Sequence, residues 1–122
     1  MKQILVIDDE EGIVEEIRDF FVEEGYDVLT ATSGERGIEL LRAERPHLML
    51  LDLKLPDMNG LAVLKVAKEI HPTLKVVVET GYVNQSLIDQ AEALGRDVFL
   101  VKPLDLNRLK EIVDHLLLGV HA

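Results

Sequence analysis

Five short runs of β-branched and leucine-rich residues recur along the chain. Each is followed by a stretch in which apolar positions return every three or four residues. The runs cover residues 3–8 (QILVID), 26–31 (YDVLTA), 47–52 (HLMLLD), 74–79 (LKVVVE) and 97–101 (DVFLV). Their near-continuous apolarity, clearest in 47–52, suits strands covered on both faces. Helical periodicity predicts helices over 12–24, 34–44, 61–70 and 105–118, and another that starts at Asn84 or Ser86 and ends at Gly95. In the first helix Ile13, Val14, Ile17, Phe20 and Phe21 share a face opposite acidic residues, and Gly25 ends it. Ser33 is a good N-cap for the second, which Pro46 stops, and His71-Pro72 closes the third. Leu106, Leu109, Ile112, Val113, Leu116 and Leu117 form the inner face of the last.

Strict βα alternation predicts an α/β fold with one parallel sheet and helices on both faces. Five units are too few for an eight-fold barrel. The expected solution is a doubly wound (βα)5 sheet in the order 2-1-3-4-5, an order taken from precedent among such sheets rather than from energetics. Its site lies at the carboxyl ends of the strands, beside the switch between strands one and three. No linker, repeat or low-complexity segment interrupts residues 1–122, so a single domain is expected.

Charge narrows the partners. Asp and Glu total 23 against 13 Lys and Arg, a net charge of −10. Most of these acids serve solubility. Such a surface disfavours direct contact with nucleic acid or anionic membranes and favours a cation or a basic partner. The absence of cysteine excludes disulfides, thiolate zinc sites, iron–sulfur clusters and a cysteine nucleophile. No apolar run approaches the roughly 18 residues of a membrane span, and the start MKQILVIDDEE is unlike a signal peptide, so a cytoplasmic location is expected.

The carboxyl edge gathers the candidate chemistry. Strand one leaves Asp8 and Asp9 there, followed by Glu10 and Glu11; strand three leaves Asp52; strand four leaves Thr80; strand five leaves Lys102, before Pro103. Because strands one and three are neighbours in the expected order, Asp8, Asp9 and Asp52 should converge. Clustered carboxylates repel, and either raised pKa values or a bound cation relieves them. Oxygen-only ligands with room for water suit Mg2+ best, with Mn2+ as a substitute. The Thr80 hydroxyl and Lys102 ammonium would complete an oxyanion binder of the kind phosphoryl transfer requires. Plainer readings exist: Asp8 and Asp9 as acids at a helix N-terminus, Asp52 as a turn residue, Thr80 as a strand end, Lys102 as a solvated charge. Their joint placement at one edge favours a site. A cis Lys102-Pro103 bond would turn the chain sharply there.

Asp8-Asp9, Asp52, the loop Leu53-Lys54-Leu55-Pro56-Asp57-Met58-Asn59-Gly60, Thr80-Gly81-Tyr82 and Lys102-Pro103 together resemble the receiver domain of two-component response regulators, over the whole chain. The resemblance implies a flavodoxin-like receiver fold. It implies that Asp52 is the phosphoacceptor, charged by a histidine kinase or a phosphotransfer protein. Asp9 and Asp52 match direct Mg2+ ligands, Asp8 a ligand acting through water, and the Lys54 carbonyl a backbone ligand. Thr80 matches a switch hydroxyl and Lys102 the phosphoryl-binding lysine. Phe99 matches an aromatic switch, or is an ordinary strand aromatic. The implied role is a signalling switch that assists its own phosphorylation and dephosphorylation rather than an enzyme. The exposed face of helix four, strand five and helix five is the expected readout surface, for a partner or for a phosphorylation-dependent homodimer in which Arg96, Arg108 and Lys110 could pair across subunits with Asp97, Asp105 or Glu111.

Two other classes compete. A pseudo-receiver would bind proteins without phosphorylation, but the set of site residues is complete. A flavodoxin-like cofactor protein would need a phosphate cradle in the first βα turn, which is acidic here, and the chain has no Trp and two Tyr to stack on a flavin. Two positions depart from the family pattern. Glu79 stands where an apolar residue is usual; it is expected to point away from Thr80 and to sit at a frayed strand end or beside a base. Arg96 stands where a small residue is usual.

Overall fold

The computed structural model describes residues 1–119. Its elements follow the expected alternation: β1 Gln3–Ile7, α1 Glu11–Glu23, β2 Asp27–Ala31, α2 Gly34–Ala43, β3 Leu48–Asp52, α3 Gly60–Ile70, β4 Lys75–Thr80, α4 Gln85–Ala93, β5 Val98–Val101 and α5 Leu106–Leu118. The five strands form one parallel sheet in the order β2-β1-β3-β4-β5. Boundaries move by one or two residues. β4 runs one residue further than its apolar run, because Thr80 still pairs with Val101 of β5. The final Val120, His121 and Ala122 lie outside the described residues.

Local chemistry explains the helix starts. The Ser33 hydroxyl accepts the Arg36 N–H at 3.2 Å, Asn84 Oδ1 accepts the Leu87 N–H at 2.9 Å, and Asp105 Oδ1 accepts those of Asn107 and Arg108. Asn84, rather than Ser86, therefore begins α4. Gly25 and Gly95 have positive φ and follow α1 and α4, where a side chain would be strained.

The sheet separates two apolar layers. Leu5, Ile7, Met49, Leu51, Val76 and Val78 pack under α2, α3 and α4, with Leu41, Val63, Leu64, Ala67 and Ala91 facing them. Ile4, Val6, Leu48, Leu50 and Val77 pack under α1 and α5, against Val14, Ile17, Phe21, Leu109, Ile112 and Val113. All five residues of β3 are buried, as a central strand covered on both faces requires.

Candidate functional site

Strand alternation sets which way each edge residue points. Ile4 and Val6, Leu48 and Leu50, Val77, and Val98 and Leu100 all belong to the α1/α5 layer. Continuing each series by two residues brings Asp8, Asp52, Glu79 and Lys102 to that same side of the carboxyl edge. Val76 and Val78 belong to the other layer, and Thr80 continues their series toward α3 and α4.

The four α1/α5-side groups meet. The Lys102 ammonium donates to Asp8 Oδ2 at 2.9 Å, to Asp52 Oδ2 at 2.9 Å and to Glu10 Oε1 at 3.1 Å. The Lys102-Pro103 peptide at the end of β5 is cis. Asp52 Oδ1 accepts the Lys54 N–H at 3.0 Å, so both Asp52 oxygens are engaged. Asp8 is fully buried, and its Oδ1 accepts the Glu10 N–H at 3.0 Å. Asp9 and Glu10 are exposed at the rim.

Burial opposes ionisation of Asp8, yet Glu79, the Glu10 N–H and Lys102 outweigh it and hold the carboxyl below its usual range. For Asp52 burial wins over the Lys54 N–H and Lys102, and the carboxyl is pushed up. Burial also works against the charge on Lys102, but Asp8, Asp52 and Glu10 reverse this and raise its pKa. One ammonium is thus locked into a nest of acids.

The donor chemistry suits a hard cation. Asp8, Asp9, Glu10 and Asp52 each offer a carboxylate oxygen, and these oxygens lie within 4.8 Å of one another. An all-oxygen set of this density, half of it exposed to water, fits Mg2+ or Mn2+. Sequence reasoning brought Asp8, Asp9 and Asp52 together but left Glu10 out. The acidic run Asp8-Asp9-Glu10-Glu11 was the available signal, and only the turn into α1 tells its third member from its fourth.

Thr80 is buried and stands apart from the ammonium. Its Oγ1 accepts the Tyr82 N–H at 3.2 Å. With Lys54, Asn59 and Leu87 it lines a cavity of about 370 Å3 on the α3/α4 side. Phe99 is half-buried and packs on the same layer as Thr80's strand neighbours.

The loop after Asp52 is held from two directions. The Gly60 N–H donates to the Leu53 carbonyl at 2.9 Å, and a Cβ at Gly60 would lie 2.5 Å from Leu53 Cα and 2.7 Å from the Asp52 carbonyl oxygen. Only glycine permits that approach. Asp57 accepts the N–H groups of Gly34 and Glu35 at 2.8 and 2.9 Å, tying the loop to the start of α2. Those two bonds hold its carboxyl below the usual range.

Glu79 corrects an expectation. It points away from Thr80 as alternation requires, but it is neither at a frayed end nor beside a base of its own. It is inside β4, in register with Asp52 on β3 and Leu100 on β5, and fully buried. No N–H or O–H donor reaches either carboxyl oxygen. Burial pushes its pKa up to about 9, with Asp8 adding to the rise. At neutral pH it therefore keeps its proton, which it can share with Asp8.

The cations assigned to a dimer contact are engaged within the chain. Arg108 lies 3.5 Å from Glu111 and Arg96 3.9 Å from Glu92. Lys110 lies 2.6 Å from Asp114, which also accepts the Tyr26 hydroxyl. Arg96 buries its Nε without a partner.

Comparison with known proteins places this geometry. Residues 4–114 match the family described as response regulator receiver domain. Sporulation initiation phosphotransferase F of Bacillus subtilis is 33% identical over 112 residues, covering 92% of this chain and 90% of that protein. A receiver domain protein of Methanospirillum hungatei superposes with a TM-score of 0.93 at 30% identity, over 94% of this chain and 92% of that one. The response regulator TrrA of Thermotoga maritima, solved in complex with Mg2+ and BeF, has a TM-score of 0.85 at 32% identity, over 96% of this chain and all of that one (100%). With this fold, and this acid and lysine edge, the chain belongs to the receiver domain family of two-component response regulators.

Proposed function

We propose that residues 1–122 act as one switch domain in which Asp52 accepts a phosphoryl group from the phosphohistidine of a histidine kinase or phosphotransfer protein. The observation that carries this reading is Lys102, whose ammonium bonds Asp8 and Asp52 at once beside the acid cluster. An Asp52 oxygen forms the new bond to phosphorus, the nitrogen–phosphorus bond breaks, and the donor histidine leaves. Water later releases phosphate and regenerates Asp52. Lys102 is 2.9 Å from Asp52 Oδ2, so a small movement carries its charge onto the phosphoryl oxygens.

Asp9 and Asp52, Asp8 through water, and the Lys54 carbonyl would hold Mg2+ or Mn2+, with Glu10 at the rim. Such an ion supplies positive charge that offsets the phosphoryl oxygens. Thr80 would turn its hydroxyl from the Tyr82 N–H toward the phosphoryl group. Phe99 follows into the space released, changing the surface of α4, β5 and α5 where a partner or a second copy docks. Its work is signalling, with chemistry limited to its own phosphorylation state. Among the described residues no helix is long and apolar enough to cross a membrane, which agrees with a cytoplasmic role. No observation favours a binding module without phosphorylation.

Acetyl phosphate with Mg2+ should add one phosphoryl mass to the intact protein, read under acidic conditions. Asp52→Asn should add none. A variant that still gains the mass, or a wild-type rate unchanged in EDTA, overturns the assignment.

A further inference from the structure

At the amino edge of the sheet, opposite the acid cluster, the starts of β1, β3 and β4 and the last turn of α5 surround a cavity of about 380 Å3. Small-molecule sites run to roughly 300–1,000 Å3, so this is a compact one. None of its lining residues is acidic, although the chain has 23 acids. Lys2, Arg45 and Lys75 line it from three separate segments, and among the described residues none of the three has an ion pair. The neighbouring helix ends do not balance them. The carboxyl ends of α2, α3 and α5 carry about half a negative charge each, which leaves about half of the positive charge unmatched.

The segments are fixed against one another. The His47 N–H donates to the Gln3 carbonyl at 2.8 Å, and the Lys75 N–H to the His47 carbonyl at 3.2 Å. His71 Nε2 donates to the Leu41 carbonyl at 2.6 Å and the Glu44 carbonyl at 3.2 Å, joining the α3–β4 connection to the end of α2. The Gln3 N–H donates to His47 Nδ1 at 3.0 Å, so that ring carries its hydrogen on Nε2. The lining thereby gains a second kind of donor beside its cations, and the Thr73 hydroxyl is a third.

We propose that this cavity binds a small phosphate monoester, its phosphoryl oxygens on Lys2, Arg45 and Lys75 and its organic part on Leu74, Leu116 and Leu117. Charge and hydrogen-bond donors together select an oxyanion. More than one positive charge is unmatched, which selects a dianion. A phosphoryl group has three terminal oxygens to meet cations from three segments, whereas a carboxylate has two in one plane. The leucines select an ester over the bare ion.

The inference does not rest on phosphorylation of Asp52. Its test uses unphosphorylated protein freed of metal on a chelating resin, at about pH 8, where the ester is a dianion. Amide NMR is followed while n-butyl phosphate, inorganic phosphate or glutarate is added at constant ionic strength. Butyl phosphate should shift the amides of Arg45, His47, Thr73 and Lys75 saturably. It should bind at least about tenfold more tightly than inorganic phosphate, the equivalent of about two buried methylene groups. Arg45→Gln and Lys75→Gln should each weaken it at least about fivefold, through loss of a charge-assisted hydrogen bond. Lys65→Gln, which removes an exposed cation outside the cavity, should change it less than about twofold. Inorganic phosphate binding as tightly as the ester, unchanged affinity in Arg45→Gln or Lys75→Gln, an equal loss in Lys65→Gln, or shifts centred on Asp52 and Lys102 overturn the proposal. Glutarate binding as tightly as butyl phosphate overturns the assignment to a phosphate.

Discussion

Lys102 and Glu79 divide the electrostatics of the carboxyl edge between them. Lys102 partly offsets the charge of Asp8 and Asp52 through bonds of 2.9 Å, whereas Glu79, buried beside the same acids, stays neutral by keeping its proton. Two outcomes follow from these charges. The folded-state pKa of Glu79, about 9, stands above its ordinary value of 4.5. Its contribution to stability is therefore full below about pH 4.5 and is lost as pH rises toward about 9, at up to about 1.4 kcal/mol per pH unit. Urea unfolding in EDTA from pH 5 to pH 8 should show that decline in the wild type and a flatter profile in Glu79→Gln, with the variant more stable at pH 8. The second outcome concerns the cation. Mg2+ at ten times its Kd should stabilise the protein by about 1.4 kcal/mol, since it binds the folded state alone. Thermal melts across a Mg2+ titration should show that Asp9→Ala loses the effect more completely than Asp8→Ala, because in the proposed site Asp8 would act through water.

Among the connections, the one from β3 to α3 is the most constrained. Asp52 ends β3, its Oδ1 receives the Lys54 N–H, and eight residues later Gly60 folds back against Leu53 and the Asp52 carbonyl. The added methyl of Gly60→Ala would meet backbone rather than a yielding side chain, so the loop itself must shift. Overpacking of this kind costs roughly 1–3 kcal/mol. Chemical denaturation should report that loss. The initial rate of labelling by acetyl phosphate should fall with it, because the displaced atoms adjoin Asp52, the proposed phosphoacceptor. The α2 helix shares the restraint through Asp57, whose carboxylate accepts its first N–H groups and complements the positive end of its dipole.

Across the sheet as a body, charge and packing are both polarised. The acids of the candidate site collect at the carboxyl edge, while Lys2, Arg45 and Lys75 line a cavity of about 380 Å3 near the carboxyl ends of α2, α3 and α5. Cations there offset the negative ends of the helix dipoles. The two faces also differ in what they carry: Asp8, Asp52, Glu79 and Lys102 toward α1 and α5, Thr80 and Phe99 toward α3 and α4. Under the proposed function, phosphorylation at Asp52 would be read through the second set, and its effect should spread along β4, α4 and β5. Hydrogen exchange with and without beryllofluoride should change most over residues 80–110. A change confined to the neighbourhood of Asp52, or a wild-type response in Thr80→Ala, contradicts this switch. Homodimer contacts, where they form, would have to displace Lys110 from Asp114 and Arg108 from Glu111 before using either in an intersubunit pair.

Periodicity was enough to read the ten elements, their order along the chain and the acids and lysine at the strand ends, because each signal spans a few residues of backbone. The sheet order came from precedent, and the close match of the motif set to a family fixed the candidate roles of Asp52, Thr80 and Lys102. Packing decided the rest. Whether Glu79 ended frayed, paired or buried depended on β5 and α1 closing over it, and these are remote in sequence. That Lys102 binds three acids, one of them 94 residues away, is a fact of proximity. So is the Tyr26–Asp114 bond across 88 residues. Apolar patterning states which face a side chain seeks; it does not state which polar group meets it there, and electrostatic partners are chosen by distance after the core has formed.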